Sequence, residues 1–71
     1  MIVYYIDSFR VRVDEQRSIM LRFHKYIDDN NIKPVYALFR HYYSKEDAML
    51  LKLQFGDSIR LEPYDFIPDP N

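Results

Sequence analysis

Residues 2–13 are dominated by β-branched and aromatic side chains, and Phe9-Arg10-Val11-Arg12-Val13 alternates apolar with basic. Period-two alternation puts successive side chains on opposite faces of a strand. Val3, Tyr5, Phe9, Val11 and Val13 are therefore expected on one face, with Tyr4, Arg10 and Arg12 on the other. Asp7-Ser8 is a poor strand pair and predicts a bulge or bend within one long strand.

The period changes at Asp14. Ile19, Met20, Phe23, Tyr26 and Ile27 form one stripe of an amphipathic helix over 14–31, with Asp14 as the expected cap. Asn30-Asn31 tolerates the left-handed turn that ends helices, and Pro34 bars continuation. Residues 35–43 read as one central strand, with Val35, Ala37 and Phe39 on one face and Tyr36, Leu38, Arg40 and Tyr42 on the other. Ser44 caps a second helix that begins with two acids, Glu46 and Asp47. Ala48, Leu51 and Phe55 form its buried face, and Gly56 ends it. Residues 58–62 alternate as a short third strand.

The predicted order is β-α-β-α-β, an α+β two-layer domain over residues 1–62, with an extended proline-rich acidic tail over 63–71. Strands joined through helices are usually parallel, and a simple progression puts both helices on one side of a three-stranded sheet. The opposite side would then stand open, showing Tyr4, Arg10, Arg12, Tyr36, Leu38, Arg40, Tyr42 and Arg60.

Composition narrows the function classes. With 71 residues there is room for one small core. The absence of cysteine removes disulfides and thiolate metal sites. A net charge of −1 argues against a strongly basic nucleic-acid binder. Charge nevertheless divides along the chain: residues 1–45 hold eight Lys and Arg against five Asp and Glu, and residues 46–71 hold two against six. The N-terminal run meets Asp7 after six residues and carries no basic leader, so a mature cytoplasmic protein is expected.

Catalytic signatures fail at the first check. One glycine cannot build a phosphate-cradling loop, and no zinc-protease, calcium-loop or nucleophile-elbow motif is present. His24, His41 and Asp28 make a thin metal set, better read as a partly buried histidine and a solvated helix end. No enzyme activity, cofactor or metal is expected.

The aromatic content of 17% is the unusual quantity. Phe23, Phe39, Phe55, Tyr5 and Tyr26 are assigned to the core. Tyr4, Arg10, Arg12, Tyr36, Leu38, Arg40 and Tyr42 are the candidate partner-binding set, since Tyr and Arg are enriched at protein hot spots. Tyr64 and Phe66 in the tail are candidate anchors of a linear docking segment. The same face suits the alternative of single-stranded RNA, whose bases stack on aromatic sheets, although the glycine–aromatic signature of such modules is missing. Self-association would also cover it.

Residues 39–56 resemble a stretch met in small uncharacterised accessory proteins of large tailed bacteriophages. There, an aromatic strand leads into a capped helix of the form Glu-Asp-Ala-Met-x-x-Lys-Leu, then an aromatic and a small residue. Glu46-Asp47-Ala48-Met49, Lys52-Leu53 and Phe55-Gly56 match that form. The resemblance implies a virus-encoded accessory protein in the bacterial cytoplasm, one that binds a host protein and inhibits or redirects it. A domain of this size can offer about 800 Å² to one partner.

Overall fold

The computed structural model describes residues 1–37 and 39–67. Strand β1 (Ile2–Phe9) is followed by a 3₁₀ turn, Val13–Glu15, and helix α1 (Gln16–Asp29). A hairpin of β2 (Tyr36–Ala37) and β3 (His41–Tyr43) leads to α2 (Lys45–Phe55). A second 3₁₀ turn, Gly56–Ser58, feeds β4 (Ile59–Asp65). The α+β class and two helices agree with the sequence reading, but the sheet has four strands in the order β2-β3-β1-β4, and every pairing is antiparallel.

The expected parallel sheet is corrected by the hairpin. The segment read as one strand over 35–43 folds back on itself, pairing Tyr36 with Tyr42 and Ala37 with His41. That reversal places β3 between β1 and β2, and β1 between β3 and β4. Each β-α-β unit is therefore split by a strand from the other, the ferredoxin-like connectivity β-α-β-β-α-β.

Local chemistry explains the element ends. Helix α1 closes in a Schellman motif: Ile32 N–H donates to Ile27 O at 2.9 Å and Asn31 N–H to Asp28 O at 3.2 Å. Asn31 takes the left-handed conformation this requires, with φ of 53°. The Lys25–Asp29 pair, 3.3 Å, partly offsets an acid at the helix's negative end. Asp14 does not cap α1: it lies within the 3₁₀ turn and accepts from Arg12 instead. At α2 the Ser44 Oγ accepts the Asp47 N–H at 3.2 Å, as the sequence predicts.

Both helices pack on one face of the sheet around a single core. Ile19 and Phe23 of α1, Leu51 and Phe55 of α2, Ile32, Tyr43 and Ile59 form its buried centre. Phe23 meets Phe9 edge-on, with ring centres 5.5 Å apart, and Phe55 at 5.8 Å. β1 ends at Phe9 rather than Val13, and β4 continues through Pro63 to Asp65, into the segment expected to be tail. Pro63 is admissible there because β4 is an edge strand paired on one side only among the described residues. No helix among the described residues is long and apolar enough to cross a membrane.

Candidate binding surface

A bulge sets which side chains face away from the helices. Register between β1 and β4 slips between Ile6 and Ser8, at the site the Asp7-Ser8 pair predicts. One inserted residue reverses the inside–outside phase of the strand on either side of it. Phe9 and Ile6 both pack on the core, so the residues upstream shift: Tyr4, opposite buried Tyr43, faces the helices, while Val3 and Tyr5 face outward.

This corrects three expected site residues. Tyr4 belongs to the helix side of the sheet, not the open side. Arg10 lies past the end of β1, its N–H donating to Ser58 O at 2.7 Å, and lines a cleft beside α2. Arg12 has left the sheet and pairs with Asp14 at 3.0 Å and Glu15 at 3.5 Å. Leu38 lies outside the described residues.

The remaining candidates do converge, on the face opposite both helices. Tyr36 and Tyr42 sit across from each other on the hairpin, ring centres 5.6 Å apart. Tyr42 reaches Tyr64 of β4 at 5.0 Å, and Phe66 closes on Tyr36 at 4.8 Å. Tyr5, assigned by sequence to the core, instead joins this layer edge-on to Tyr42 at 5.6 Å. The guanidinium of Arg40 lies over the Tyr5 ring, 4.4 Å from its centre. The Phe66 N–H donates to Met1 O at 2.8 Å, so Tyr64 and Phe66 are parts of the face rather than a separate docking arm.

These rings are neither sealed nor bare. Tyr5, Tyr36, Tyr42 and Phe66 are half-buried against one another, and Tyr64 is 45% exposed. Neither helix covers them. Next to them Arg60 engages Glu62 at 2.8 Å and Asp7 at 3.9 Å, so two acids outweigh the one cation at that end of the face. Arg40 has no carboxylate within salt-bridge distance among the described residues, which leaves one cation set in an aromatic surround.

Sequence reasoning missed Phe39. Assigned to the core, it stands at the tip of the β2–β3 hairpin and is 95% exposed. The sequence between Ala37 and His41 contains no Gly, Pro, Asn or Asp, so no turn signal marks the reversal. Val35, at 48% exposure, extends the apolar surface at the hairpin's base.

No metal set forms. His24 and His41 line one shallow cavity with Arg40, without Asp28, and no group of three His, Cys, Asp or Glu gathers among the described residues. No family model, curated protein or solved structure matches the chain.

Proposed function

We propose that the protein is a non-enzymatic binding module that docks on another protein through the aromatic face of its sheet. The observation that carries this reading is the row Phe66–Tyr36–Tyr42–Tyr64, with Tyr5 and Arg40 beside it, on the side away from both helices. A preformed aromatic layer loses little side-chain entropy on binding, and Tyr and Arg are the residues that dominate hot spots. Phe39 at the hairpin tip supplies an additional anchor whose burial would follow only from association. The phage-like stretch over residues 39–56 favours a host protein as the target, inhibited or redirected by occlusion.

One observation favours single-stranded nucleic acid as the second reading. Tyr5 and Tyr42 occupy the two central strands, the position from which four-stranded recognition sheets stack bases. The electrostatics favour protein, because Arg60 is neutralised by Asp7 and Glu62, leaving Arg40 as the exposed cation in the layer.

Affinity capture from bacterial lysate, with wild type beside a Tyr36→Ala/Arg40→Ala/Tyr42→Ala variant, tests the reading. Retention of one protein by the wild type, its loss in the variant and weak dependence on salt support it. Anisotropy of a labelled single-stranded oligonucleotide that rises on addition of the protein, and collapses with salt, would replace it with the nucleic-acid reading.

A further inference from the structure

The strongest unassigned feature lies on the other side of the sheet. Between α2 and edge strand β4 is a cavity of about 320 Å³, at the lower end of the roughly 300–1,000 Å³ typical of small-molecule sites. Its apolar lining is Tyr4, Met49 and Leu61, set over the buried core residues Ala48 and Ile59, which are only 3% and 0% exposed. Met49, 57% exposed, forms an adaptable wall.

The mouth carries the opposite chemistry. Arg10, Lys45 and Lys52 line it, and among the described residues none has a carboxylate within 4.0 Å. Lys52 Nζ donates to Ile59 O at 3.0 Å, which holds the ammonium at the rim with two donors remaining. The Arg10 backbone is held by its bond to Ser58 O. Asp57 is the single acid in the lining. Arg60 also borders the cavity but turns its guanidinium to Glu62, so it adds no free charge.

We propose that this cleft binds a small anionic amphiphile, an apolar body of medium length carrying one carboxylate or phosphate. The apolar body would lie against Tyr4, Met49 and Leu61, while the anion would meet Lys45, Lys52 and Arg10 by charge-assisted hydrogen bonds. The proposal is independent of the aromatic face, which lies on the opposite side of β1.

The test is titration of the isotope-labelled full chain with decanoate, below its micelle concentration, followed by amide chemical shifts. Decanol and inorganic phosphate are the separate arms. Saturable shifts at Ala48, Met49, Ile59 and Leu61 are expected, with decanol bound about tenfold more weakly and phosphate weaker still. Arg10→Gln/Lys45→Gln, both exposed, should abolish the preference for the acid while leaving the fold intact. Ala48→Leu should block the site, and if it unfolds the chain the charge variant still decides. Equal affinity for acid and alcohol, shifts centred on Tyr36 and Tyr42, or a response only to an acidic peptide pairing along β4 would each overturn the proposal.

Discussion

The rings of Tyr42 and Tyr64 meet with centres 5.0 Å apart, although β1 runs between the strands that carry them. Val3, the β1 residue opposite Tyr64, is 1% exposed despite lying on the side away from both helices. The open face is therefore a second, shallow apolar layer held together by its own rings. Its order precedes any partner, which is what a low-entropy docking surface requires.

Removing the roof should be measurable. Tyr64→Ala is expected to cost about 1–2 kcal/mol, from the lost ring pair and the exposure of Val3. Urea unfolding followed by far-ultraviolet dichroism checks it. A value indistinguishable from zero would mean that the ring contact contributes nothing in solution.

Arg40 should separate stability from binding. Its cation–π contact with Tyr5 is at an exposed site and is worth about 0.5–1 kcal/mol, so Arg40→Ala should leave the domain folded. Under the proposed docking on this face, its loss should cost the complex about 2 kcal/mol or more. Calorimetric titration against the captured partner, beside the same urea curve, compares the two figures.

Leu51 sits at the opposite extreme. It is 0% exposed in the centre of the helix-side core, and Leu51→Ala should destabilise by about 2–5 kcal/mol. A chain of this length commands roughly 4–10 kcal/mol in total, so the variant should melt far below the wild type. Thermal unfolding reads the difference.

Much of this architecture is legible in the chain, and the failures have one kind of cause. Ser44, Asn31 and Gly56 mark their element ends because each supplies a hydrogen bond or a backbone conformation that few other residues supply. In the stripe from Ile19 to Ile27, Ile19 and Phe23 are buried and Tyr26 and Ile27 partly so, while Met20 is exposed; the trio Ala48, Leu51 and Phe55 is buried as its spacing requires. The β2–β3 reversal carries no turn signal in the sequence, and the antiparallel strand order and the exposure of Phe39 both follow from it. The bulge at Asp7-Ser8 is legible in the sequence, and its one extra residue exchanges Tyr4 for Tyr5 on the outer face. Tyr36, Tyr42, Tyr64 and Phe66 converge because they lie on strands, or at a strand end, whose phase does not depend on that bulge, and Arg40 reaches Tyr5 from the connection before β3.

Gly56 carries φ of 57° with ψ of −131°, a region open essentially to glycine alone, while its N–H donates to Lys52 O. A Cβ there would meet nothing within 4 Å. Gly56→Ala should therefore cost about 1–3 kcal/mol from backbone strain alone. A neutral result in denaturant unfolding would show that the turn relaxes into another conformation.

Burial raises the Tyr43 phenol above its usual value of 10.0. The unfolded chain then loses this proton at a lower pH than the folded one does. Stability from this group is fully present below pH 10 and is lost as pH rises from there through the folded value. Tyr43→Phe should flatten that alkaline decline, read as a smaller drop in melting temperature across the same pH interval.

The most direct test is the footprint of the captured partner on the isotope-labelled domain, read from amide and side-chain shifts. Perturbation should centre on Tyr5, Tyr36, Phe39, Arg40, Tyr42 and Tyr64 and leave α1 and α2 unchanged. A footprint on the outer surfaces of the helices, with the sheet face silent, would contradict the assignment of binding to the aromatic face.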